Sequence, residues 1–191
     1  MRAQVIRPFD PTRIPKPRIW IPFQVPPKMP LDLEIGCGVG WHPISYAQKN
    51  PDRFLIAIEH TAEKFGKFHR RYERHEKPSH LLPVHANAIS WVTYQLPPNC
   101  LERVFLLYPN PTDYWYEMPF FGRLQECMKP RATLTLATNL PEYAKSARQQ
   151  ITQEWKMKII DESSPIEPRT HFEKKYLKSG QKCFNLIFEK H

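Results

Sequence analysis

Residues 31–40, Leu-Asp-Leu-Glu-Ile-Gly-Cys-Gly-Val-Gly, constrain the fold of this chain more tightly than any other segment. The run from Leu31 to Ile35 predicts a short buried strand, and glycines at 36, 38 and 40 predict a tight turn that ends it. Without side chains, such a turn lets a ligand approach the backbone closely, and a helix starting there would point its positive end at the same place. Glu34 stands two residues before the first glycine. Strand, turn and a nucleotide-type cofactor site are therefore expected together.

Beyond this segment, short apolar runs alternate with amphipathic stretches, the pattern of β-α units wound around a parallel sheet. Strands are expected at Leu31 to Ile35, Phe54 to Ile58, Leu81 to Val84, Val104 to Leu107, Thr133 to Ala137, Lys156 to Ile160 and Cys183 to Phe188. Helices are expected near Trp41 to Lys49, Ala62 to Glu76, Phe120 to Met128 and Glu142 to Glu154. The fold class that follows is α/β, a Rossmann-like three-layer sandwich with its ligand beyond the carboxyl ends of the strands. In the second helix Phe65, Phe68 and Tyr72 recur at helical spacing and should pack on the sheet, while Lys64, Lys67, Arg71 and Arg74 form a neighbouring stripe. That stripe reads either as a phosphate track or as a solvated face laced with ion pairs to Glu63, Glu73 and Glu76.

Residues 1–30 differ in kind, with eight prolines that forbid a helix and six basic residues against one acid, Asp10. They read as a Pro-rich basic arm preceding a domain at 31–191, and Trp20, Ile21, Phe23 and Val25 suggest that its second half packs on the domain. A net charge of +9 over 191 residues predicts attraction to polyanions, nucleic acid foremost. Cys37, Cys100, Cys127 and Cys183 are scattered, which argues against a disulfide framework or zinc site and for a reducing compartment. No metal is expected, and the apolar runs are too short to span a bilayer. The expectation is a soluble, cytoplasmic protein, monomeric or homodimeric.

Two cofactor classes use a glycine turn after a first strand. The dinucleotide fingerprint G-x-G-x-x-G needs glycine where this chain has Trp41. The spacing present, E-x-G-x-G-x-G over Glu34, Gly36, Gly38 and Gly40, is that of S-adenosylmethionine methyltransferases, with Glu34 available to the ligand's ammonium. Glu59 closes the next strand 23 positions after Gly36, where a carboxylate can accept from both ribose hydroxyls. Asn87 and Ala88 follow the third strand, in position to contact an adenine edge.

The later motifs resemble those of the tRNA (guanine-N7-)-methyltransferase family, whose pattern is F-P-D-P-W with a basic run, then A-T-D, then T-x-F-E. The corresponding stretches are Tyr108-Pro109-Asn110-Pro111-Thr112, Ala137-Thr138-Asn139 and Thr170-His171-Phe172-Glu173. The resemblance covers about residues 31–190 and implies a seven-stranded, mostly parallel sheet with an antiparallel final strand. It further implies S-adenosylmethionine-dependent methylation of guanine in tRNA, with Asn110 at the catalytic position and in contact with the cofactor. Asn139, Thr170, Phe172 and Glu173 would lie near the guanine.

Departures from the pattern are specific. Asn87, Asn110 and Asn139 stand where the family usually has Asp, and the basic run is replaced by Asp113-Tyr114-Trp115-Tyr116-Glu117. Guanine N7 carries a lone pair and no proton, so its methylation needs proximity and orientation more than a base. An amide at 110 supplies a dipole where a carboxylate would stabilise the cationic base, which predicts a slower enzyme or a shifted substrate. The alternatives are a methyltransferase with another RNA or small-molecule acceptor, since Asn110-Pro111 and Tyr114 faintly resemble an N-P-P-Y arrangement, or a catalytically impaired RNA-binding homologue.

Overall fold

The computed structural model describes residues 7–16, 22–26 and 28–191. Thirteen elements follow the short 3-10 turn at Pro11–Arg13: β1 (Leu31–Ile35), α1 (Trp41–Lys49), β2 (Phe54–Glu59), α2 (Ala62–Arg74), β3 (Leu81–His85), α3 (Ala88–Gln95), β4 (Leu101–Leu107), α4 (Phe120–Cys127), β5 (Met128–Thr138), α5 (Pro141–Gln153), β6 (Lys158–Ser163), α6 (His171–Lys178) and β7 (Phe184–Glu189). A second 3-10 turn, Trp115–Glu117, precedes α4. The strands form one seven-stranded sheet in the order β3-β2-β1-β4-β5-β7-β6. β1 to β5 pair in parallel, and the final strand β7 runs antiparallel to both β5 and β6. Chain order reverses between β1 and β4, so the crevice at a topological switch point opens beside the glycine turn.

Alternation along β1 divides the molecule into two faces. Leu31, Leu33 and Ile35 enter a large core with residues of α3, α4 and α5. Asp32 and Glu34 point the opposite way, toward α1, where a smaller core gathers Ile44, Ala47, Leu55, Ala57 and Phe68. Two buried carboxylates on one strand need partners. Arg53 clasps Asp32 in a fork, Nε to Oδ2 at 2.7 Å and Nη2 to Oδ1 at 2.6 Å, and the Tyr46 hydroxyl donates to Oδ2 at 2.6 Å. Burial, then the bond to Asp32, pushes the Tyr46 phenol up to about 12.

Several boundaries differ from the sequence expectation for visible reasons. α2 stops at Arg74, because Glu76 and Lys77 adopt positive φ of 61° and 48° and turn the chain toward β3. β5 begins at Met128, five residues early, and absorbs the excess in a bulge between Met128 and Thr133 where Arg131 has φ 64°. Lys156 also has positive φ, 55°, which delays β6 to Lys158. α3 and α6 were not expected from periodicity.

The described part of the arm lies across α3. The Tyr94 hydroxyl donates to the carbonyls of Ile14 at 2.6 Å and Pro11 at 3.1 Å, and Ser90 Oγ donates to the Pro15 carbonyl at 2.6 Å. Phe9 meets Phe120 edge-on and Phe23 packs against Trp91. Arg2, Arg18, Trp20 and Ile21 lie outside the described residues. No helix among the described residues is long and apolar enough to cross a membrane.

Candidate active site

The turn after β1 is held from both sides. Backbone amides of Gly36 and Cys37 donate to the Ile58 carbonyl at 2.9 and 3.1 Å, and the Gly40 amide donates to the Cys37 carbonyl at 3.2 Å. Glu59, 4 % exposed, accepts from the Gly38 amide at 2.9 Å and from the Thr61 amide at 2.8 Å. These amides are already bonded within the turn, so its use to a ligand lies in the missing side chains. A Cβ added at Gly36 or Gly38 would meet no atom within 4 Å, so both positions face open space. Gly40 is different: a Cβ there would lie 2.0 Å from Phe68 Cδ2, so this glycine lets α2 close onto the turn.

Two clefts meet at Gly36. The first, about 260 Å³, runs between the turn and α6 and is bordered by Glu34, Gly38, Trp41, His42, Thr170, His171 and Phe172. The second, also about 260 Å³, lies toward α3 and is bordered by Ile58, Ala86, Asn87, Ala88, Ile89, Trp115 and Met118. In the first, the Glu34 carboxylate is 2 % exposed and 2.8 Å from His42 Nδ1. Cys37 lines the same cleft, but burial first, then the Glu34 and Glu59 carboxylates, pushes its thiol well above the usual range and makes it a poor nucleophile.

The expected site residues divide into groups. Glu34, Gly36, Gly38, Thr170 and Phe172 border the first cleft, although 130 or more positions separate the turn from the last two. Gly36, Asn87 and Ala88 border the second, with Asn87 also capping α3 by accepting from the Ser90 amide at 3.2 Å. Glu59 and Gly40 line neither cleft; Glu59 is held behind the turn by the Gly38 and Thr61 amides. Asn110, Asn139 and Glu173 border neither cleft. Asn110 is exposed and donates to Thr112 Oγ1 at 2.9 Å, while Asn139 donates to Gln181 Oε1 at 3.1 Å. Glu173 is fully buried, accepting from the Arg169 amide at 2.6 Å and from its guanidinium.

The T-x-F-E segment is thus also a helix start. Thr170 Oγ1 accepts from the Glu173 amide at 3.0 Å, capping α6, and Glu173 secures the preceding backbone. This presents Phe172, 41 % exposed, at the lip of the cleft, stacked with Tyr108 and Tyr176. The S/T-x-x-E spacing was the signal for α6. His42, which its place at the start of the first helix would suit equally to a surface or cap position, is instead buried against Glu34, and sequence reasoning missed the Trp115 and Met118 wall of the second cleft.

A family model described as "Putative methyltransferase" matches residues 28–186, from just before β1 into β7. The chain belongs to this methyltransferase family. A tRNA (guanine-N(7)-)-methyltransferase of Caulobacter vibrioides is 29 % identical over 157 residues, 75 % of this chain and 67 % of that protein. One of Nitrosomonas eutropha is 26 % identical over 200 residues, 91 % of this chain and 86 % of that protein. Among solved structures, the precorrin-6y C5,15-methyltransferase of Geobacter metallireducens aligns with a TM-score of 0.63 at 12 % identity, over 85 % of this chain and 81 % of that one, a likeness of fold. S-adenosylmethionine is the donor that the glycine turn predicts. The residues present fit it: a side-chain-free cradle at Gly36 and Gly38, the Glu34 carboxylate on the first cleft for an ammonium, and an apolar slot at Ile89, Trp115 and Met118 for adenine.

Proposed function

We propose that this methyltransferase transfers the methyl group to N7 of a guanine in tRNA, in the cytoplasm. What supports the reading is the convergence of the glycine turn with Thr170 and Phe172 on one cleft. The relatives named for this activity add to it.

Each protein group has a task that suits this chemistry. The bound donor supplies an electrophilic methyl group on a sulfonium. Glu34, buried and paired with His42, offers a fixed carboxylate to the ligand's ammonium, and a buried charge so held needs little reorganisation. Glu59 keeps one set of lone pairs for ribose hydroxyls while its backbone partners hold it in place. Phe172 and Trp41 form aromatic walls against which a purine can stack, aligning its N7 lone pair for in-line displacement. N7 carries no proton, so no residue has to act as a base.

Asn110 follows β4 in the chain without bordering either cleft, and its carbonyl oxygen is the group that would accept from the guanine N1-H or N2-H. For that it has to leave its present contact with Thr112. The test is methyl transfer from labelled S-adenosylmethionine to an unmodified tRNA pool. Incorporation into guanine is expected; none with any tRNA, despite donor binding, overturns the reading.

A further inference from the structure

The chain lacks a basic run after its proline motif, where Asp113 and Glu117 instead present negative charge. Its cations are gathered elsewhere. Lys67, Arg70, Arg71 and Arg74 recur at helical spacing along one face of α2 and, with His75, His171 and Val39, line a groove of about 490 Å³. Among the described residues, no acidic side chain lines it. Of the acids of α2, Glu63 accepts from the groove's own Lys67 at 2.6 Å, which leaves the arginines as its main charge, and Glu73 lies 3.4 Å from Lys77, outside the groove. The groove shares Val39, Lys67 and His171 with the cleft between the turn and α6.

One cation in this groove is fixed. Arg71 donates from Nε to the Val39 carbonyl at 3.1 Å, with its guanidinium 5.6 Å from the centre of the Trp41 ring. Lys174 of α6 approaches that ring at 5.0 Å, so positive charge flanks the aromatic wall of the cleft. Arg70 and Arg74 are exposed and face outward on the same stripe. From 67 to 74 the helix rises about 10 Å, enough to meet more than one backbone phosphate of a nucleic acid strand.

We propose that this α2 groove holds the sugar-phosphate backbone of the RNA beside the target nucleotide, replacing the basic run that the proline motif lacks. The inference rests on the proposed function for its RNA. Phosphates in the groove would place the adjoining base at the Trp41 and Phe172 lip.

The experiment measures affinity of the full chain for unmodified tRNA across salt concentrations, for the parent and for Arg70→Gln/Arg74→Gln. Circular dichroism and S-adenosylmethionine affinity, both expected unchanged, report on folding. If the double variant is poorly folded, Arg74→Gln alone is read the same way. The slope of log affinity against log salt is expected to fall in magnitude by about 1 for each phosphate contact removed, so by about 2 in the double variant. Inorganic phosphate at the same ionic strength is expected not to displace the RNA; displacement would mark a site for free anion and overturn the RNA assignment. An unchanged slope in the variant overturns the groove alone. RNA binding with the expected slope change but no methylguanine product overturns the function and leaves the groove standing, whereas a parent that binds no RNA overturns both.

Discussion

The three glycines of the turn should separate into two kinds when each is changed to alanine. All have positive φ, 75°, 60° and 81° for Gly36, Gly38 and Gly40, so each alanine carries a left-handed backbone penalty of about 1–2 kcal/mol. At Gly40 the new Cβ also lies 2.0 Å from Phe68 Cδ2 and 2.6 Å from Cγ, an overlap that buried Phe68 cannot relieve without moving α2. Overpacking of that kind costs about 1–3 kcal/mol, so Gly40→Ala should lose roughly 2–5 kcal/mol in all. Phe68→Ala alone should cost about 3–5 kcal/mol. Since the truncation vacates the volume that the new Cβ needs, the double variant should be more stable than the sum of the singles by about 1–3 kcal/mol. Urea unfolding of the four proteins measures this coupling directly. Gly38→Ala should lose only the backbone term while weakening S-adenosylmethionine binding at least about tenfold in calorimetry, since its Cβ would enter the cradle. Additivity of Gly40→Ala and Phe68→Ala within about 0.5 kcal/mol would refute the packing role of the third glycine.

Further outcomes follow from the buried charges and the cleft. Asp32→Ala leaves Arg53 without the acceptor of its fork and should destabilise the fold by about 3–5 kcal/mol in urea unfolding, with no specific loss of donor affinity in what remains folded. Glu34→Gln removes the charge offered to the ammonium and should raise the donor dissociation constant at least about tenfold, measured by calorimetry. Asn110→Asp should speed single-turnover methyl transfer, because a carboxylate stabilises the cationic base; an unchanged rate removes Asn110 from the chemistry. Burial pushes the Cys100 thiol to about 11 and the Cys127 thiol to about 12, so these groups favour the folded state fully below 9.0, and that contribution is lost as pH rises through 11 to 12. Thermal melts should therefore decline above pH 9, and less steeply in Cys127→Ala.

Much of the fold was legible because strand and helix periods are local. Leu31 to Ile35 could be read as a buried strand from five residues, and Glu59 as its neighbour's last residue from the apolar run before it. The bulge in β5 and the left-handed turn at Glu76 and Lys77 were not legible, since neither rests on a glycine. In the site, the glycine turn announced itself, yet the task of Gly40 depends on Phe68, 28 residues away, and only packing reveals it. The start of the first helix made His42 visible but not its partner, because its task comes from Glu34 across the α1-β1 interface. The T-x-F-E segment shows a local motif carrying two functions: Thr170 and Glu173 build the start of α6, and Phe172 is what that construction presents to the cleft.

Nucleoside analysis of a tRNA pool after incubation with the protein and S-adenosylmethionine tests the central claim most directly. The proposed function predicts 7-methylguanosine as the methylated product, lost in Glu34→Gln. Methyl groups on an exocyclic amine, or tRNA left unmethylated by a chain that binds the donor, would contradict it.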